Sequence, residues 1–341
     1  MISYIYKWFS SIIPLRTLNK ITQHHTIFPL YHAVHNNPAP HLKHVLNIRS
    51  EQQFKTDLDF LLKYYKPIDL KTIIDKIKKD IPFREPEFLL SFDDGLNEIY
   101  EIIAPILKQK GIPAIIFINP AFVDNKDLFY RFKASVLADR VCSGIIESDQ
   151  AEKICNLFIQ NEFREPNNLY FAILSIKYHN KELLDQIADI LNIDFQSYLQ
   201  KHKPYLTMSQ LYGLQKQGFS IGAHSMDHPD FNKMDIKEQI RQTNDSVSFI
   251  QNHFDEQHAS FSMPFTDFGL TKQYFKTIYS NIQNPIECSF GCAGLKNDTF
   301  KQHIQRLPVE NTKLPLKNYV YQQYMYYLLK APFGKNTIKR K

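Results

Sequence analysis

No run of about 18 consecutive apolar residues occurs in the 341-residue chain, which argues against a conventional membrane span. Cysteine is scarce: Cys142, Cys155, Cys288 and Cys292 are too few and too irregularly spaced for a disulfide scaffold. Cys288 and Cys292 lack a second pair at ligand spacing and read as buried thiols. There is no stripe of basic residues interleaved with aromatics, although the net charge is +6, so nucleic acid is not an expected partner. Internal repeats and low-complexity segments are also missing. The first residues show neither the charged start nor the small-residue cleavage site of a secretory leader. With unpaired cysteines, this points to the cytoplasm, while an extracytoplasmic location stays open.

What is present is ordinary for a folded chain, with 43% hydrophobic and 22% charged residues. Short apolar runs recur at Thr26 to Tyr31, Phe88 to Phe92, Ala114 to Ile118, Ser220 to Ala223 and Ala259 to Met263. Between them lie helical periodicities such as Glu51 to Tyr65 and Ile99 to Lys110, so the alternation reads as a mostly parallel α/β fold. Gly111-Ile112-Pro113 should stop one helix, and Thr207-Met208-Ser209-Gln210 should cap the start of another. From 126 to 203 only helical patterns appear, which reads as an insertion between two barrel strands within a barrel spanning 26–341. Residues 1–25 form an amphipathic N-terminal segment containing Trp8, and the far end combines an aromatic run, Tyr319 to Leu329, with a solvated basic tail. These two ends leave peripheral membrane association, at an inner membrane face, as an open expectation.

Two short stretches carry the chemistry. Ser91-Phe92-Asp93-Asp94-Gly95 places adjacent carboxylates at the end of an apolar run, where parallel α/β folds put their reactive groups. His224-Ser225-Met226-Asp227-His228-Pro229 places two imidazoles after another such run. Alone, the first reads as a helix cap and the second as a pair of solvated histidines. If the two strand ends meet, one carboxylate and both histidines can hold a metal with open positions, and the other carboxylate is free as a base.

In this order, and in the context of Tyr31-His32, Gly111-Ile112-Pro113-Ala114 and Gly218-Phe219-Ser220-Ile221-Gly222, these motifs resemble the polysaccharide deacetylase family of metal-dependent carbohydrate esterases. The resemblance runs from about Ile27 to Pro308, excluding the insertion. It implies a distorted, incomplete (β/α) barrel. It also implies that Asp94, His224 and His228 hold a divalent metal, most often zinc and sometimes cobalt or nickel, with Asp93 as general base. Two imidazoles and a carboxylate suit zinc. The loop Ser262-Met263-Pro264-Phe265 would supply an oxyanion donor, which suggests the Phe265 N–H.

The chain departs from the family pattern in three places. Ser262 stands where the family has an arginine that orients the base. The only tryptophan is Trp8, so none matches the residue beside the acetate pocket. Gln305-Arg306-Leu307-Pro308 stands near the place of the motif that supplies the acid. His303, helped electrostatically by Arg306, is one candidate for that acid, and His32 and Arg306 are expected to line the site toward the substrate or its oxyanion. The leading expectation is removal of N-acetyl or O-acetyl groups from sugars of a surface polysaccharide or its precursor, with an N-acetylated saccharide as partner. A noncatalytic carbohydrate-binding barrel and an amidohydrolase for a small non-sugar amide remain alternatives. Neither the sugar nor the oligomeric state is legible.

Overall fold

Eight short strands, β1 (Pro29–Tyr31), β2 (Leu90–Phe92), β3 (Ala114–Ile118), β4 (Ser220–Ala223), β5 (Ser260–Ser262), β6 (Cys288–Gly291), β7 (His303–Gln305) and β8 (Leu307–Pro308), form one sheet in a computed structural model. It describes residues 13–144, 146–254, 258–281 and 285–341. The order across the sheet is β7-β6-β5-β4-β3-β2-β1-β8, and every pairing is parallel. Strand β3 is buried along its whole length, as expected of a parallel strand covered on both faces. The two sheet edges, β7 and β8, are separated in the chain by Arg306 alone. On one side of this seam the Arg306 N–H donates to the Gly291 carbonyl (3.1 Å), and on the other the Leu307 N–H donates to that of Phe28 (2.8 Å). The chain itself therefore closes the barrel where a strand ladder is missing, giving the distorted, incomplete (β/α) barrel expected.

The local signals act where the sequence places them. Gly111 ends the helix Ala104–Lys110 with φ of 64°, a left-handed conformation that glycine adopts without a Cβ penalty. Thr207 and Gln210 form a reciprocal capping box on the helix Met208–Lys216. Between 126 and 203 the described residues contain five α-helices and no strand. Their own core includes Phe132, Leu137, Phe158, Leu184 and Ile187, and it packs against Leu42 and Phe122 beside the barrel.

At the two ends the picture is mixed. Within the N-terminal segment, residues 1–12, including Trp8, lie outside the described residues, while the helix Leu15–Thr22 buries Leu15 and Leu18 against the main core. Among the described residues no helix is long and apolar enough to cross a membrane. The basic tail is exposed at Lys335, Lys339 and Lys341, as expected, but the Arg340 side chain is buried and ion-paired with Asp267 and Asp298, because these carboxylates require a cation once removed from water. Of the two cysteines read as buried, Cys288 is, while Cys292 is only partly so.

Gly222, two residues before His224, is required by close packing. A Cβ there would lie 2.5 Å from the Phe117 ring and 2.7 Å from the Ser260 hydroxyl oxygen. Gly222→Ala is expected to lower the midpoint of thermal or urea unfolding, at a cost of about 1–3 kcal/mol for overpacking. An unchanged midpoint would mean that the Phe117 ring can move aside.

Candidate active site

Adjacent residues on a strand face opposite sides, so two neighbouring carboxylates can share a pocket only if the backbone leaves the strand between them. It does so here. The Asp93 N–H continues the ladder by donating to the Tyr31 carbonyl (3.0 Å), and Asp94 then turns into the left-handed region with φ of 71°. The histidine loop is bent the same way, with φ of 64° at Ser225 and 57° at His228, and the Ser225 hydroxyl accepts the His228 N–H (3.2 Å). Left-handed backbone at non-glycine residues costs about 1–3 kcal/mol and persists where surrounding contacts impose it. Asn119 supplies some of them, its amide donating to the carbonyls of His224 and Ser225.

The two strand ends meet. Asp94 Oδ1 lies 3.6 Å from His224 Nε2 and 3.4 Å from His228 Nε2, and all three side chains are buried. Ligands at about 2.1 Å from a tetrahedral zinc are about 3.4 Å apart, so the spacing suits such an ion. Asp94 Oδ1 has no hydrogen-bond partner among the described residues, which leaves a buried carboxylate oxygen for a cation to satisfy. His224 Nδ1 sits 2.9 Å from the Ser262 carbonyl, so that nitrogen carries the proton and Nε2 keeps its lone pair for the pocket. Burial, helped by the nearby His224, holds the His228 pKa well below its usual value, keeping the ring neutral as a ligand must be.

Asp93 is bound differently, although it is the neighbouring residue. Arg306 reaches in from the seam and grips both carboxylate oxygens, with Nη1 to Oδ1 at 2.7 Å and Nη2 to Oδ2 at 2.8 Å. The Ser262 hydroxyl donates to Oδ2 (3.0 Å) and accepts from Arg306 Nη2 (2.6 Å). Arg306 also donates to the Ser91 hydroxyl and the Gly291 carbonyl, and lies over the rings of Phe117 and Phe290. Burial would raise the Asp93 pKa, but the guanidinium and His224 overcome it and hold the carboxyl well below the usual range. The partner of Asp93, unassigned from the sequence, is Arg306. Every nitrogen of its guanidinium is engaged in these contacts, so the assignment of Arg306 to substrate or oxyanion binding is replaced by a grip on Asp93.

His32 follows β1. Its Nδ1 lies 2.6 Å from Glu310 Oε2, and the other Glu310 oxygen accepts the N–H groups of His32 and Ala33. Burial lowers the His32 pKa, but Glu310, backed by Asp94 and Asp93, lifts it to about 9. The ring is therefore within electrostatic reach of Asp94 and Asp93 and is protonated at neutral pH. His303, the candidate acid, is not available. Its ring is buried between the Ser289 hydroxyl and Asp267 and packs on Phe275.

Two rings flank His228, those of Phe129 and Phe265, each with its centroid 4.5 Å away. Phe129 opens the first helix of the insertion, so the aromatic wall comes from a segment whose role the sequence did not reveal. The Phe265 N–H meets no acceptor among the described residues, and its backbone is left-handed, with φ of 55°. Asp227 is more than a turn residue: it accepts from Tyr178 (2.5 Å), Lys181 (3.0 Å) and Gln242 (2.8 Å), tying the histidine loop to the insertion. Glu310 was missed altogether, since a lone glutamate after a Leu-Pro pair carries no motif.

No curated protein sequence matches the chain. Among solved structures it is similar in fold to the Streptococcus pyogenes deacetylase PplD in complex with acetate, at 12% identity over 86% of this chain and 95% of that one, with a TM-score of 0.52. IcaB from Ammonifex degensii gives 13% identity over 88% and 96%, with a TM-score of 0.52. A de-N-acetylase from Aggregatibacter actinomycetemcomitans gives 15% over 86% and 99%, with a TM-score of 0.51. The family model for polysaccharide deacetylase matches residues 80–153 and 181–279, just over half of the chain, and these segments hold Asp93, Asp94, His224, His228 and Phe265. With that match, on a barrel that brings both motifs to one pocket, the chain belongs to the polysaccharide deacetylase family.

Proposed function

We propose that the protein is a metal-dependent hydrolase that removes N-acetyl groups from a saccharide. The observation that carries this reading is the Asp94-His224-His228 triad, whose Asp94 Oδ1 meets no hydrogen-bond partner among the described residues, beside a neighbouring carboxylate, Asp93, held ionised by Arg306. The triad would hold a divalent metal, for which zinc suits the donor set, and when bound it would acidify a water and polarise the acetyl carbonyl. Asp93 accepts the proton of the attacking water, its orientation fixed by the Arg306 fork. The Phe265 N–H donates to the oxygen that becomes negative as the carbonyl carbon turns tetrahedral. His32, protonated and steadied by Glu310, gives its proton to the departing amine. The rings of Phe129 and Phe265 offer apolar faces to the sugar and its acetyl group.

The noncatalytic alternative rested on a missing orienting arginine, a missing tryptophan and a missing acid. Arg306 and His32 offer the first and last of these functions from other positions, which leaves the tryptophan as its one remaining motive. The structural likeness to a de-N-acetylase supports an N-acetyl rather than an O-acetyl substrate.

The test is acetate release from N-acetylglucosamine oligomers by the zinc-loaded protein, alongside metal content by elemental mass spectrometry. About one metal per chain is expected, lost in both Asp94→Ala and His228→Ala together with turnover. Turnover that is equal in the metal-free variants, or a wild-type protein that retains no metal after zinc addition, would overturn the proposal.

A further inference from the structure

Residues 336–341 form a strap across the loop that carries Phe265. Thr337–Ile338 pair in parallel with Asn297–Asp298, and the Lys272 N–H donates to the Lys341 carbonyl (2.6 Å). The strap delivers Arg340, whose side chain is 2% exposed and lies over Phe275 at 4.6 Å. Its Nη1 donates to the Asp267 carbonyl (2.6 Å), its Nε and Nη2 to Asp298 Oδ2 (3.0 and 2.6 Å), and its Nη2 also to the Asp267 carboxylate. Asp267, Asp298 and His303 are otherwise close enough to resemble a metal cluster. The guanidinium is the cation that neutralises them.

Asp267 lies two residues after Phe265, so what fixes Asp267 also fixes the strained Phe265 backbone. The Asp267 carboxylate further accepts from Gln305 (2.8 Å), the residue before Arg306, and a Cβ on Gly291 would come within 2.7 Å of it. The Gly291 carbonyl is the same one that receives the Arg306 backbone N–H and Nε. One contiguous set of contacts thus joins Arg340 to the Phe265 loop on one side and to the Arg306–Asp93 pair on the other.

We propose that Arg340 is a positioning residue of the deacetylase site, clamping Asp267 so that the Phe265 N–H stays aimed at the developing oxyanion. This rests on the function proposed above. An oxyanion is present only in the transition state, so a slackened donor lowers kcat and leaves substrate binding nearly unchanged. Losing one such donor completely costs about 10²–10³ in kcat, and a donor that is loosened rather than lost should cost about tenfold.

The test uses the full zinc-loaded chain as wild type, Arg340→Ala and Arg340→Lys. Arg340→Ala is expected to lose about tenfold in kcat, with KM within about twofold and metal content retained. Millimolar guanidinium should restore part of the loss by occupying the vacated cation site, and should not stimulate the wild type. If Arg340→Ala does not fold, Arg340→Lys decides, because an ammonium cannot serve both carboxylates and the Asp267 carbonyl at once; its kcat should fall at least about threefold. Wild-type kcat in either folded variant, or a loss in Arg340→Ala that guanidinium leaves untouched, would overturn the clamp. A wild-type protein with no turnover would overturn the deacetylase reading itself and, with it, this one.

Discussion

Arg306→Met is expected to lower kcat by about 10²–10⁴, the range for loss of a positioned base, and to destabilise the fold by about 3–5 kcal/mol, the range for breaking one side of a buried ion pair. The two effects share one cause. Arg306 provides two charge-assisted hydrogen bonds to Asp93 over a floor made by Phe117 and Phe290, in a pair almost wholly removed from solvent. In the wild type the Asp93 pKa is depressed, so its stabilising contribution is complete above the unfolded value of about 3.9 and is lost only as pH falls toward the lower folded value. Without the guanidinium, burial acts with less opposition and the pKa moves up. The variant's deficit should then be larger at pH 8 than at pH 5, since protonation relieves an unpaired carboxylate. The acid limb of its kcat profile should also move to higher pH than in the wild type. Urea unfolding at the two pH values and a kcat profile read both effects. A variant with wild-type stability and an unmoved acid limb would show that Arg306 does not govern Asp93.

How much of this was legible in the sequence depended on whether a residue's role is set by its neighbours along the chain. Strand β3 could be read to the residue because an unbroken apolar run between turn signals has few other uses, and β4 because it leads straight into the histidine motif. Strands β6, β7 and β8 were not, since Cys-Ser-Phe-Gly, His-Ile-Gln and Leu-Pro are short and carry little apolar pattern. The meeting of Asp94 with His224 and His228 was legible because the three lie within two compact motifs at strand ends. Arg306 was noticed, but its partnership with Asp93 was not, because it spans 213 residues of chain and depends on how the barrel closes. Ser262, which looked like the loss of a functional arginine, belongs to the replacement: its hydroxyl joins the carboxylate to the guanidinium that enters from the seam. Glu310 and the Arg340 strap left no local trace for the same reason. Long-range polar pairs of this kind are specified by topology, whereas periodicity reports only which face of an element is buried.

The second large effect is expected at the other end of proton transfer. His32→Gln should retain the metal and lose about 10²–10⁴ in kcat, because expelling an amine without a positioned acid is slow. Its pH profile distinguishes this from a packing defect. His32 titrates near 9, above its usual 6.5, so the proton it donates is present at neutral pH and is lost as pH rises through that value. Wild-type kcat should therefore fall along an alkaline limb with a midpoint at or below about 9, since a cation at the triad would offset part of the pull of Asp94 and Asp93. The same limb should disappear in His32→Gln. In Glu310→Gln it should move toward lower pH, because the charge that holds the proton on His32 is gone while the ring remains. The stabilising part of the His32–Glu310 pair follows the same sign: it is fully present below about 6.5 and lost as pH rises through about 9. A wild-type alkaline limb that persists unchanged in both variants would assign it to another group, and the leaving amine would then need a different proton source.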